Sequence, residues 1–223
     1  MLLAFGIFGR ILDGLPEFEG IAQGCQGLEL ADSIAGDGHK LLNVPYDSGF
    51  FFCRNPSISQ QVFQNPNAAY LNARNEATDT VQSPLNMGIE NSRRCRDLPV
   101  YATLMAYGRD AYTGMLQRQI RFARSVAAYL WDHESFELLP QEIYISRDEI
   151  YRYIFIIVLF RAKDNALNEG LVQKINTSSR MCVSGTVWQG RTACRIAVAN
   201  WQVDPNRDIE VVKDVLTNVL ADQ

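Results

Sequence analysis

Apolar residues recur at helical spacing along the stretch from 98 to 133. Tyr112, Leu116, Ile120, Ala123, Ala127 and Leu130 stand three or four positions apart, which places them on one face of a helix. Asp110 is suited to cap this helix, and Gly108 to end a preceding one over 101–107. A second stripe, Ile209, Val212, Leu216 and Val219 with Leu220, predicts a final helix from about 205 to 220. Between them the pattern changes. The run from Tyr153 to Phe160 is β-branched and aromatic and predicts a buried strand. It is too short to cross a bilayer. A helix is expected near 164–177, and a strand pair over 183–187 and 192–198. Two helices with a few strands predict a small α+β domain, beginning after a composition shift at Leu139-Pro140.

The first part of the chain reads differently. Short apolar runs are separated by glycines and polar turns. Strands are expected over 2–8, 28–33 and 49–53. The unbroken apolar character of Gly49-Phe-Phe-Phe-Cys53 predicts burial on both faces, as in a mainly parallel sheet. Gly36-Asp-Gly-His-Lys40 reads as a polar turn. Residues 57–90 are rich in Asn, Gln, Ser and Ala, and 72–84 has little periodicity, so a loop is expected there. The division this predicts is 1–138 and 139–223.

Composition narrows the classes. The chain has 223 residues, 47% of them hydrophobic and 21% charged, ordinary values for a globular protein with a real core. The net charge of −4 is mild and speaks against a nucleic-acid partner, which needs a basic patch. No membrane partner is expected. Five cysteines stand at wide spacings without a CxxC pair, and there are two histidines, so no metal site is expected. The thiols read as reduced and mostly buried, in a cytoplasmic setting.

The segment richest in chemistry is Ala31-Asp-Ser-Ile-Ala-Gly-Asp-Gly-His-Lys40 and its continuation to Gly49. A lysine beside a histidine in a glycine-flanked turn is a candidate nucleophile, because a deprotonated amine condenses with carbonyls. An isolated lysine in a turn is also ordinarily a solvated surface charge, and the residue alone leaves both readings open. The longer string settles more. Ala31-Asp-Ser, then Asp37-x-His39-Lys40-x-Leu42-Asn43-Val44-Pro45-Tyr46-Asp47-Ser48-Gly49, resembles the cofactor-lysine segment of group II pyridoxal-phosphate-dependent amino-acid decarboxylases. These include the aromatic-L-amino-acid, tyrosine, histidine and glutamate enzymes. The resemblance implies that Lys40 forms a Schiff base with pyridoxal 5'-phosphate and that His39 lies against the cofactor phosphate. Leu41 stands where the family usually has an aromatic residue.

Further segments extend the resemblance. Ala69-Tyr70-Leu71 is similar to the family's mobile catalytic loop, which makes Tyr70 the expected acid that returns a proton to the substrate carbon. Ser92-Arg93-Arg94-x-Arg96-Asp97-Leu98-Pro99 resembles the entry to the long helix, with Arg93 and Arg94 expected to fix backbone and partner-subunit contacts. Gly185 to Trp201 resembles the C-terminal strands of bacterial and fungal members. Arg191 and Arg195 are expected to be structural, since a tight clamp on a departing carboxylate would oppose its loss. Ala4-Phe-Gly6 resembles a strand end that places Ala4 against the cofactor; the family's aspartate, which keeps the pyridine ring cationic, falls on Leu2.

The resemblance implies an α/β chain: part of a type I, aminotransferase-like cofactor domain followed by a small α+β domain. It spans nearly all of this chain but about the C-terminal half of a family member, so a piece of a longer sequence, a split product or a degenerate relative is expected. The implied activity is decarboxylation of an L-amino acid to its amine and carbon dioxide by a homodimer. A non-catalytic decarboxylase-like fragment that keeps a dimer-forming surface is the alternative. A third reading keeps the cofactor but makes an aldehyde or transaminates; Tyr70 speaks against the aldehyde.

Overall fold

A computed structural model describes residues 8–63, 88–90, 92–144 and 146–221. Tyr70, Ala4, Leu2 and the loop expected over 72–84 lie outside the described residues, as does the strand expected over 2–8 except for Phe8. The chain divides into two compact units, one containing Gln26–Ala106 and the other Gly9–Cys25 with Tyr107–Gln223.

In the first unit, strand β1 (Ser33–Asp37) pairs antiparallel with β2 (Gly49–Cys53), Asp37 opposite Gly49 and Ser33 opposite Cys53. This corrects the expectation of a parallel, doubly buried β2. Phe51 and Phe52 are each 61% exposed, because within the described residues β2 has one strand neighbour and no helix layer over both faces. The expected strand over 28–33 is instead a 3-10 turn at Leu28–Leu30, entered through Gly27 at φ 84°. Helix α2 (Gly38–Leu41) replaces most of the polar turn, and helix α3 (Pro56–Phe63) follows β2.

The second unit holds the larger core. Helix α1 (Glu19–Gly24) packs on α5 (Arg147–Tyr153). Helix α4 (Asp97–Asp132), which belongs to this unit from Tyr107 onward, is broken at Gly108, where φ is +65°, at the position the sequence marks as a helix end. Every residue of the predicted stripe from Tyr112 to Leu130 is buried. Four antiparallel strands follow in the order β3 (Phe136–Leu139), β4 (Ile157–Ala162), β6 (Arg191–Ala197), β5 (Ser184–Trp188). Helix α6 (Asn165–Thr177) packs on β4 and β6 and against α7 (Pro205–Ala221). Phe136, Phe160, Leu171, Ile175 and Leu216 fill the space between them. The strand expected over 153–160 starts later, at Ile157. A capping box between Ser146 and Glu149 makes 147–153 helical, satisfying backbone donors that a strand would have used otherwise.

Polar contacts fix the register of this unit. Asn168, on α6, is buried; its Oδ1 accepts from the Ala162 amide at 3.1 Å and its Nδ2 donates to the Thr192 carbonyl at 2.9 Å. Arg191 Nη2 donates to Asn165 Oδ1 at 2.8 Å, tying β6 to α6. Asp164 caps α6 by accepting from the Leu167 amide at 2.8 Å. Asp164→Ala leaves that amide without its acceptor and is expected to cost about 1 kcal/mol of stability in urea unfolding; an unchanged midpoint would contradict the assignment.

All five cysteines are free. The expectation that most are buried is corrected: Cys194 alone is buried, while Cys95 and Cys182 are exposed. Burial pushes the Cys194 thiol up to about 12. Among the described residues, no helix is long and apolar enough to cross a membrane.

Candidate active site

The site is built on the return between β1 and β2. β1 ends at Asp37, and α2 begins at once, leaving its first amides without helical partners. The Ser48 carbonyl takes them: it accepts from the Gly38 amide at 2.8 Å and from the His39 amide at 3.3 Å. Ser48 itself is 6% exposed. A Cβ on Gly38 would stand 2.8 Å from Ser48 Oγ, so only glycine lets the two ends of the return close this tightly. One register step away, the Phe50 ring lies over Gly36, where a Cβ would meet it at 2.4 Å. Leu41 and Val44 are buried and anchor the turn from beneath, and Asn43 takes the left-handed bend at φ 53°.

This frame presents His39 and Lys40 side by side. His39 Nδ1 lies 2.8 Å from the Ser48 carbonyl and 3.3 Å from the Ser48 amide. The shorter contact is that of an Nδ1–H donating to the carbonyl, which leaves Nε2 as the variable position. In the doubly protonated ring Nε2 carries a second N–H, suited to an anion. The Tyr46 ring sits on His39 with centroids 4.3 Å apart.

Lys40 Nζ donates to Asp37 Oδ2 at 2.6 Å, and 34% of the lysine side chain is exposed. The hydrogen bond from Lys40 holds the Asp37 carboxyl below the usual carboxylate range. The amine is thus anchored yet open to a small molecule. A cleft of about 990 Å³ lies at the other end of the hairpin, lined by Ser33, Phe51, Cys53, Ile58, Val62 and Ile89. Neither Lys40 nor His39 lines it.

The structure therefore brings together two of the expected residues, Lys40 and His39. It adds Asp37, Ser48 and Tyr46, which the sequence displays only as letters of the motif. The signal for Asp37 was its i, i+3 spacing to Lys40 across a turn; the ring contact of Tyr46 had none. Arg94 fixes backbone as expected: its Nη2 donates to the Asp47 carbonyl at 3.2 Å and to Asp47 Oδ1 at 2.9 Å.

The sequence profile of the pyridoxal-dependent decarboxylase conserved domain matches residues 16–146, a span that holds the whole Lys40 turn. The chain belongs to the pyridoxal-dependent decarboxylase family. It is 26% identical over 200 residues to an aromatic-L-amino-acid decarboxylase of Bacillus atrophaeus, covering 88% of this chain and 39% of that protein. It is 25% identical over 204 residues to an L-2,4-diaminobutyrate decarboxylase of Acinetobacter baumannii, with 88% and 37% covered. The crystal structure of Oryza sativa TDC with PLP and tryptamine superposes with a TM-score of 0.73 at 21% identity, covering 90% of this chain and 41% of that one. That likeness establishes the fold alone, which is α/β. The chain spans about two fifths of the length of the relatives it matches.

Proposed function

We propose that this chain carries the cofactor-lysine part of an enzyme that decarboxylates an L-amino acid to its amine and carbon dioxide, with Lys40 holding pyridoxal 5'-phosphate. The observation that carries the reading is the reachable amine of Lys40, set beside an imidazole inside the span that matches the family. The donor set suits the cofactor: a primary amine for its aldehyde and a histidine ring nitrogen for its phosphate. When bound, pyridoxal phosphate supplies the carbonyl that an amine attacks and a ring that accepts electrons as carbon dioxide leaves.

The chain's own residues then divide the work. Lys40 Nζ is parked on Asp37 Oδ2, so the amine must lose a proton and leave that carboxylate before it bonds to carbon. His39 is held by Ser48 along one edge, and its Nε2 would be the atom offered to the phosphate. Tyr70 is assigned the return of a proton to the substrate carbon, and Ala4 a place against the cofactor. The division into a cofactor domain over 1–138 and a small domain over 139–223, a homodimeric assembly and a cytoplasmic setting belong to the same reading.

The test is product analysis of the full-length protein incubated with cofactor and a panel of L-amino acids. Equal amounts of amine and carbon dioxide from one of them support the reading. Aldehyde or keto acid in place of amine would replace it with the oxidative or transaminating alternative.

A second reading, a non-catalytic relative that keeps an association surface, draws on the apolar exposure of the first unit. Phe51, Phe52, Ile58, Val62 and Ile89 are all more than half exposed. Sedimentation of the protein decides it: a folded monomer that binds cofactor and turns over amino acid would exclude this second reading.

A further inference from the structure

The loop that follows the Lys40 turn carries a second, separate set of contacts. Tyr46 rests on His39 at 4.3 Å between centroids and a tilt of 50°, yet it is 79% exposed. Burial therefore does not fix this ring. Its neighbour Asp47 is gripped instead. Arg96 Nε and Nη2 donate to Asp47 Oδ2 at 3.2 and 3.1 Å, a fork on one oxygen. Arg94 Nη2 donates to Asp47 Oδ1 at 2.9 Å and lies 3.4 Å from the Tyr46 carbonyl. Glu90 Oε2, 3.5 Å from Arg96 Nη1, steadies the fork from behind.

Exposed ion pairs of this kind add little to stability. Their geometric effect is larger, because two arginines converge on the backbone that carries Tyr46. The imidazole needs such a contact. Contacts with Ser48 at Nδ1 hold one edge of the His39 ring and leave its tilt about that edge to other neighbours. The Tyr46 ring, leaning on the imidazole at 4.3 Å and a tilt of 50°, limits that tilt and with it the direction of Nε2.

We propose that Asp47, held by Arg94 and Arg96, is a positioning residue: it sets Tyr46 against His39 and so fixes the edge His39 offers to the cofactor phosphate. The inference rests on the function proposed above for Lys40 and His39. The charge needed is secure, since the hydrogen bond from Arg96 holds the Asp47 carboxyl below its usual range.

Two readouts test it, one of them independent of the cofactor. The first is the nuclear Overhauser contact between the Tyr46 and His39 ring protons in the wild-type protein and in Asp47→Ala. The second is the preference for pyridoxal phosphate over pyridoxal, from fluorescence titration of each. The variant is expected to lose the ring contact and about tenfold of the phosphate preference, as when one charge-assisted hydrogen bond is misdirected. Binding of pyridoxal itself should stay nearly unchanged, which a general loss of structure would not allow. Tyr46→Leu should reproduce the loss of preference. Should Asp47→Ala not fold, Asp47→Asn and Arg96→Lys carry the same measurements. A ring contact that persists in these variants, or a preference that does not move when the contact is lost, overturns the proposal. If the wild-type protein binds neither compound, the proposed function falls, and the ring contact alone decides whether Asp47 positions His39.

Discussion

Lys40→Ala is expected to abolish the absorbance change that accompanies cofactor binding and to reduce amine formation on the order of a thousandfold or more, as when an enzyme loses the group that bonds to the reacting species. The fold should be undisturbed. Lys40 is one-third exposed, it donates to Asp37, and the turn is held from below by Leu41 and Val44 and across by Ser48. Removing the amine therefore takes away chemistry and little packing. Circular dichroism of the variant should match the parent. Retained binding absorbance and turnover in Lys40→Ala would contradict the assignment, because no other part of the turn offers a primary amine.

Glu137→Ala is expected to be strongly destabilising, by about 3–5 kcal/mol, because it strands a buried charge. Glu137 on β3 and Arg161 on β4 face each other across the ladder, their side chains 14% and 7% exposed. Arg161 Nε donates to Glu137 Oε2 at 2.7 Å and Nη2 to Oε1 at 3.0 Å. Arg161 Nη1 is buried without a hydrogen-bond partner among the described residues, so the guanidinium has no reserve there when the carboxylate goes. Replacing both residues, in Glu137→Leu with Arg161→Met, should recover most of the loss, since neither charge then remains to be desolvated. Urea unfolding of the single and double variants reads this directly.

The same pair gives a pH dependence. The hydrogen bonds from Arg161 hold the Glu137 carboxyl below its usual range. A carboxylate with a depressed folded pKa binds fewer protons in the native state than in the unfolded one at mildly acid pH. Its contribution is complete above the unfolded value, about 4.3, and drains away as pH falls through the lower folded value. The Glu137→Ala variant should lose this part of the acid sensitivity, and the gap between parent and variant should narrow below about pH 4.

The second unit was largely legible in the sequence. Its helices bury a stripe, and a stripe is written locally: Tyr112 to Leu130 are buried as spaced, and of the second stripe Val212, Leu216 and Val219 are buried while Ile209 and Leu220 at its ends are half-buried. The hairpin was harder. Gly49-Phe-Phe-Phe-Cys53 has the composition of a strand covered on both sides, yet which strand it pairs with is a long-range matter that composition does not carry. The early helix at 19–24 and the capping box at Ser146 escaped because their signals are short beside the apolar run that follows.

The candidate site divides in the same way. Lys40 and His39 were legible because an ordered string of motif letters surrounds them. The grip of Arg94 and Arg96 on Asp47 was not, since these partners stand 47 and 49 positions apart. The sequence marks Arg93 and Arg94 as a basic pair; the fold selects Arg94 and Arg96, both of which donate to Asp47.

The central claim is a covalent bond between one nitrogen and the cofactor aldehyde. Full-length protein incubated with pyridoxal phosphate, treated with borohydride and digested should yield a single pyridoxyl-modified peptide, and fragment masses should place the added group on Lys40. Modification at other lysines, or none, would contradict it.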